Sequence, residues 1–117
     1  MHMHSGLDVS AWPAIPTVGV VMHPDAMGGW NLEITTTNFR FAPEHVNGTV
    51  VAGEGHAHLY IDGKKITRIY GNWFNISKAL VGAPGSHSIR VTLNANDHSD
   101  LMQHDKTIEA TTTVVVE

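Results

Sequence analysis

Gly53-Glu54-Gly55-His56-Ala57-His58-Leu59-Tyr60-Ile61-Asp62-Gly63 is the stretch on which the fold turns. Ala57, Leu59 and Ile61 alternate with His56, His58, Tyr60 and Asp62, and a strand points successive side chains to opposite faces. One face is therefore apolar, and the other carries both imidazoles. Residues i and i+2 of a strand stand roughly 6–7 Å apart on one face, so two neutral imidazoles can converge on one ion if another segment brings a third donor. The plainer alternative is a polar strand face that happens to hold two histidines.

Working outward, Asp62-Gly63 turns the chain and Lys65 to Tyr70 returns as a hairpin partner. Upstream, Val18 to His23 is β-branched and apolar, and Asp25-Ala26-Met27-Gly28-Gly29 is turn chemistry. Trp30 to Asn38 then sets Trp30, Leu32 and Ile34 against Asn31, Glu33 and Thr35, which completes a first hairpin. Phe39, Phe41 and Pro43 lead into a long connection through His45, Asn47 and Gly48. Downstream, Trp73 to Ile76 reads as a short strand, and Ser77 to Leu80 as one helical turn before Gly82-Ala83-Pro84-Gly85. Ile89, Val91 and Leu93 alternate along Ser86 to Asn94; Thr107 to Val116 puts Ile108, Ala110, Thr112, Val114 and Val116 on one face. Residues 1–16, with Gly6, Pro13 and Pro16 and no period, read as a mobile tail before a single domain at 17–117. About seven short strands and almost no helical period predict an all-β chain. The expected architecture is an antiparallel β-sandwich of immunoglobulin-like or cupredoxin-like topology.

Composition narrows the chemistry. The 117 residues suit one domain, and a formal net charge of −4 with seven Lys and Arg gives no basic stripe for nucleic acid or an anionic membrane. No apolar run approaches the ~18 residues that span a bilayer, so membrane insertion is not expected. The absence of cysteine excludes disulfides, thiolate zinc sites and cysteine-ligated blue copper. Nine histidines and five methionines are many for this length, and imidazole with thioether suits copper, Cu(I) above all.

In such a sandwich the strand beginning at His56 runs antiparallel to the strand ending at Asn94, which puts His56 and His58 near the segment Ala95–Asp105. That segment carries His98, Met102 and His104, and the predicted metal ligands are His56, His58, His98, His104 and Met102. The connection holding His45 and the start of the chain with His2, Met3 and His4 open at the same pole. Their part in binding stays open, and a tag remnant is an equal account of His2 to His4. Glu54 and Glu109 are candidate acceptors behind the ligands. His23, His87, Met22 and Met27 fall at the opposite pole, where His87 reads as a solvated polar residue and the methionines as packing.

Three pieces of the chain together resemble a group of small exported bacterial proteins thought to bind periplasmic copper. These are Gly29-Trp30-Asn31-Leu32 through Thr37-Asn38-Phe39-Arg40-Phe41-Ala42-Pro43-Glu44, then Gly55 to Lys64, then Val91-Thr92-Leu93-Asn94-Ala95-Asn96-Asp97-His98. The resemblance implies a cupredoxin-like sandwich, a periplasmic location after removal of an export signal, and copper on His56, His58 and His98. Met102 and His104 lie outside the matching pieces.

The expected function is thus a copper carrier, chaperone or scavenger, holding Cu(I) or Cu(II) and exchanging it with a copper-donating or copper-receiving protein, rather than an enzyme. Zinc remains an alternative ion, since imidazole suits both. Two rivals are a copper-dependent enzyme resembling a superoxide dismutase and a metal-free immunoglobulin-like binding module. Because imidazoles must be neutral to ligate, affinity is expected to fall as pH drops through roughly 6.5.

Overall fold

The computed structural model describes residues 6–117. In chain order its first strands are β1 (Gly6–Asp8), β2 (Thr17–Pro24), β3 (Trp30–Thr37), β4 (Arg40–Phe41), β5 (Glu54–Ile61) and β6 (Lys64–Ile69). After β7 (Trp73–Ile76) and the single helical turn α1 (Lys78–Val81) come β8 (Gly85–Asn94), β9 (Asp100–Gln103), β10 (Lys106–Thr107) and β11 (Glu109–Val116).

These strands make two sheets. β5 lies inside the larger one, antiparallel to β6 on one edge and to β8 on the other. β11 pairs along β8, while β9 takes up the end of β8, with β1 and β10 pairing to β9. The smaller sheet is β2–β3–β7. Leu32, Ile34 and Ile76 of the smaller sheet and Ala57, Leu59, Ile61, Ile89, Val91 and Leu93 of the larger one form the buried core. Each of the Leu, Ile and Val side chains among them contributes about 1.5–3 kcal/mol by leaving water. The alternation read in the sequence is therefore what makes the sandwich: one row per strand faces the core, and the row with the histidines faces away from it.

Both expected hairpins are present. β2 and β3 pair in register from Thr17↔Thr37 to Pro24↔Trp30. Gly29 closes that turn at φ +73°, where a Cβ would also collide with the Ile76 carbonyl oxygen. In the β5–β6 turn Asp62 (φ 53°) and Gly63 (φ 81°) both adopt the left-handed form that a two-residue hairpin of type I′ requires. The expected helical turn is present as α1, and Ser77 caps it, its Oγ accepting from Leu80 N at 3.1 Å.

Two expectations change. There are eleven strands rather than about seven, because β1, β4, β9 and β10 are too short to show a period. The second change concerns residues 1–16, which are not a mobile tail from Gly6 onward. β1 lies parallel to β9 in the register Gly6↔Asp100, Val9 N donates to Met102 O at 2.9 Å, and Val9 is fully buried. Leu7, Trp12 and Ile15 pack against the same core. This segment buries single side chains between turns, so no alternation marks it in the sequence. His2, Met3 and His4 lie outside the described residues. No described helix is long and apolar enough to cross a membrane.

Candidate metal centre

All eight residues of β5 are buried, so the imidazoles on its outer row are as enclosed as the aliphatic side chains on its inner one. His56 is 1 % and His58 0 % exposed. The register His56↔Asn94 and His58↔Thr92 places the start of β5 beside the end of β8, as the sequence led one to expect.

The loop after β8 then folds over this pair. Ala95 N donates to Ser99 O at 2.9 Å and His98 N to Ala95 O at 2.8 Å, and His98 has φ 74°. This is a three-residue hairpin loop whose last residue takes the left-handed form, a place usually given to glycine. Buried Asn94 fixes the loop from beneath: its Nδ2 donates to His98 O (3.0 Å) and Asp100 Oδ1 (2.6 Å), and its Oδ1 accepts from Thr92 Oγ1 (2.7 Å). Asp97 Oδ1 accepts from Ser99 N at 3.0 Å.

Among the described residues, His56, His58 and His98 are close enough to share an ion, with one ring nitrogen from each lying within 4.8 Å of the others. His56 Nε2 stands 3.0 Å from His58 Nε2 and 3.1 Å from His98 Nδ1. The second nitrogen of His98 decides its tautomer. Nε2 lies 2.5 Å from Asn47 Oδ1, an acceptor, so Nε2 carries the hydrogen and Nδ1 presents a lone pair to the cluster. His56 Nε2 must then be the donor toward His98, and His58 Nε2 can face it only with a lone pair. One proton thus sits where three ring nitrogens converge. If His56 moves its hydrogen to Nδ1, three lone pairs point at the same place. An ion with bonds of about 2.0–2.1 Å needs donors roughly 3.3–3.5 Å apart, which small side-chain rotations reach from these separations.

Burial, helped by nearby positive charge, disfavours the charged form of His56 and His98. Burial, then the neighbouring His98, Arg68 and Lys65, pushes His56 down to about 4. Burial, Arg68 and Lys65 likewise lower His98, with Asp97 opposing them. The affinity loss expected near pH 6.5 therefore moves to lower pH. Stability follows the same window. A buried histidine with a depressed pKa contributes stability that is present above its unfolded value and lost as pH falls through the folded one. Unfolding of the metal-free protein by urea should show a loss on the order of 3 kcal/mol between pH 6.5 and 4, and His56→Gln should remove most of that slope. An unchanged slope in the variant would place the acid sensitivity elsewhere.

The remaining sequence candidates are not gathered here. Met102 lies on β9, but its thioether rests against Gly6 of β1. His104 is exposed at the β9–β10 turn with φ 53°. There it helps hold the Asp8 carboxyl low, an effect due mainly to Ser10. Residues 95–105, read as one loop, in fact contain a strand that carries His104 away.

His45 contacts Glu54 through Nδ1, and Glu54 also accepts from Arg40 Nη2 (3.1 Å) and Asn96 Nδ2 (3.0 Å). Asn96 above all, with His45, holds that carboxyl below its usual range. Glu54 thus anchors the 95–99 loop through Asn96. Glu109, the other expected acceptor, pairs with Arg90 at 2.7 Å instead. Sequence reading missed Asn47 and Asn94, which orient His98, and Tyr70, whose ring packs 5.5 Å from that of His56. Only Asn94 carries a positional signal, since it stands in register with His56.

At the other pole, His23 meets Glu33 (2.9 Å) and Trp73 (5.5 Å between rings). Met27 is exposed at its turn and Met22 packs against the core. His87 is more than a solvated residue: Nδ1 donates to Asp62 Oδ2 at 2.6 Å and Nε2 to Ala83 O at 2.5 Å, a pair that needs the imidazolium. Asp62 first, then Ala83, raises its pKa. This clamp stabilises fully below the unfolded value near 6.5 and fades as pH rises through the raised one. His87→Gln should therefore narrow the stability difference between mildly acid and alkaline solution; an equal difference in both proteins would refute the clamp.

No protein-family model, no curated protein and no solved structure matches this chain.

Proposed function

We propose that the protein binds copper through His56, His58 and His98 and acts as a carrier, chaperone or scavenger in the periplasm. The observation that carries this is the convergence of His56 Nε2, His58 Nε2 and His98 Nδ1. The donor set is three neutral imidazoles with no carboxylate, and Lys65 and Arg68 are the cations felt by His56 and His98. A doubly charged ion meets twice the repulsion of a singly charged one from those two side chains. That favours Cu(I), which imidazoles hold in low coordination, over Zn(II), which the same donors also fit. His98 sits on a hairpin loop and is only partly buried, so one ligand can swing away and pass the ion to a receiving protein.

Competition against a Cu(I) chelator under reducing conditions tests the reading. The expected result is one tightly held Cu(I) per chain and weaker Zn(II). Failure to retain copper, or tighter retention of zinc, would overturn it.

A further inference from the structure

β6 runs beside the histidines on the same side of the larger sheet. Arg68 stands opposite His58 and Lys65 opposite Tyr60, so both cations share the face that carries His56 and His58. Between them lies a hollow of about 480 Å³ lined by Lys65, Ile66, Thr67, Arg68 and Tyr70. Arg68 Nη1 donates to Tyr70 OH at 3.4 Å, and the Tyr70 ring packs against His56, so the hollow adjoins the imidazole cluster.

Of the cations on neighbouring strands, the two other arginines are neutralised by carboxylates. Arg40 is paired with Glu44 and Glu54, and Arg90 with Glu109. Among the described residues, neither Lys65 nor Arg68 forms an ion pair, although the chain is net acidic. Three imidazoles bring no negative charge to a metal ion. A divalent ion at His56, His58 and His98 would thus add two positive charges on the same sheet face as two more.

We infer that the Lys65–Arg68 hollow binds a small anion that becomes the fourth ligand of a divalent ion held by the three histidines. The inference rests on the metal reading above and deepens it. Arg68 and Lys65 hold the anion by charge-assisted hydrogen bonds while the metal takes its remaining lone pair. A monovalent ion adds half the charge and is satisfied by three imidazoles, so anion binding follows the divalent state. With Cu(I) bound instead of Cu(II), the anion is not needed and the three imidazoles alone complete the site.

Cu(II)-loaded protein titrated with azide, followed by its charge-transfer absorption and electron paramagnetic resonance, tests this. Lys65 and Arg68 are exposed, so the variant Lys65→Met with Arg68→Met should fold and still take up one Cu(II). Wild type should change its spectrum with azide, and the double variant should need at least about tenfold more azide for the same change. Equal azide affinity in both proteins, or Cu(II) bound one to one with no response to azide, would overturn the anion site and leave the metal site standing. No uptake of metal by the wild type would overturn both.

Discussion

Replacing either buried imidazole, by His56→Ala or by His58→Ala, should weaken Cu(I) binding by more than about 100-fold. Residues that only orient a ligand commonly give 10–100-fold effects, and these two would be ligands themselves. His56 is the larger loss, because its Nε2 faces both other donor nitrogens. Removing a buried ring also opens a cavity, which costs stability in its own right. His58→Phe provides the control: it keeps the ring's volume on the outer row of β5 while removing both nitrogens. Chelator competition should show loss of copper in all three variants, with circular dichroism reporting a sheet like the wild type's in His58→Phe. Wild-type affinity in any of them would take that residue out of the site.

His98→Gly should separate binding from folding. His98 holds φ 74°, where a residue with a Cβ is strained by about 1 kcal/mol and glycine is not. Against that gain stands the loss of its bonds to Asn47 Oδ1 and His56 Nε2, each worth about 1 kcal/mol. The net cost is about 1 kcal/mol, so the variant's urea midpoint should lie only a little below that of the metal-free wild type. Its copper affinity should fall by more than about 100-fold, since two imidazoles remain where three had converged. If His98→Gly instead bound copper as wild type does, the loop would be structural and the site would reduce to a buried pair.

What the sequence disclosed follows from what alternation encodes. Ala57, Leu59 and Ile61 against His56 and His58 fixed one face of β5, and the same pattern in Ile89, Val91 and Leu93 fixed β8. Their antiparallel pairing then brought the two histidines to the Ala95–Ser99 turn. His98 was legible for that reason, as a residue in a short loop at a known end. Met102 and His104 were not separable from it, because β9 and β10 span only four and two residues and leave no period to read. The β1 segment was hidden in the same way: Val9 is buried alone, among turns, by pairing with a strand more than 90 residues away. Partners that act through geometry, such as Asn47 on His98 and Tyr70 on His56, carry no spacing rule that a sequence can display.

Crystals of the protein soaked with copper and measured at the copper absorption edge test the central claim most directly. The account predicts one strong anomalous peak about 2.0–2.1 Å from His56 Nε2, His58 Nε2 and His98 Nδ1. A peak seated elsewhere, or ordered copper-soaked crystals with those three nitrogens bound only to one another, would contradict it.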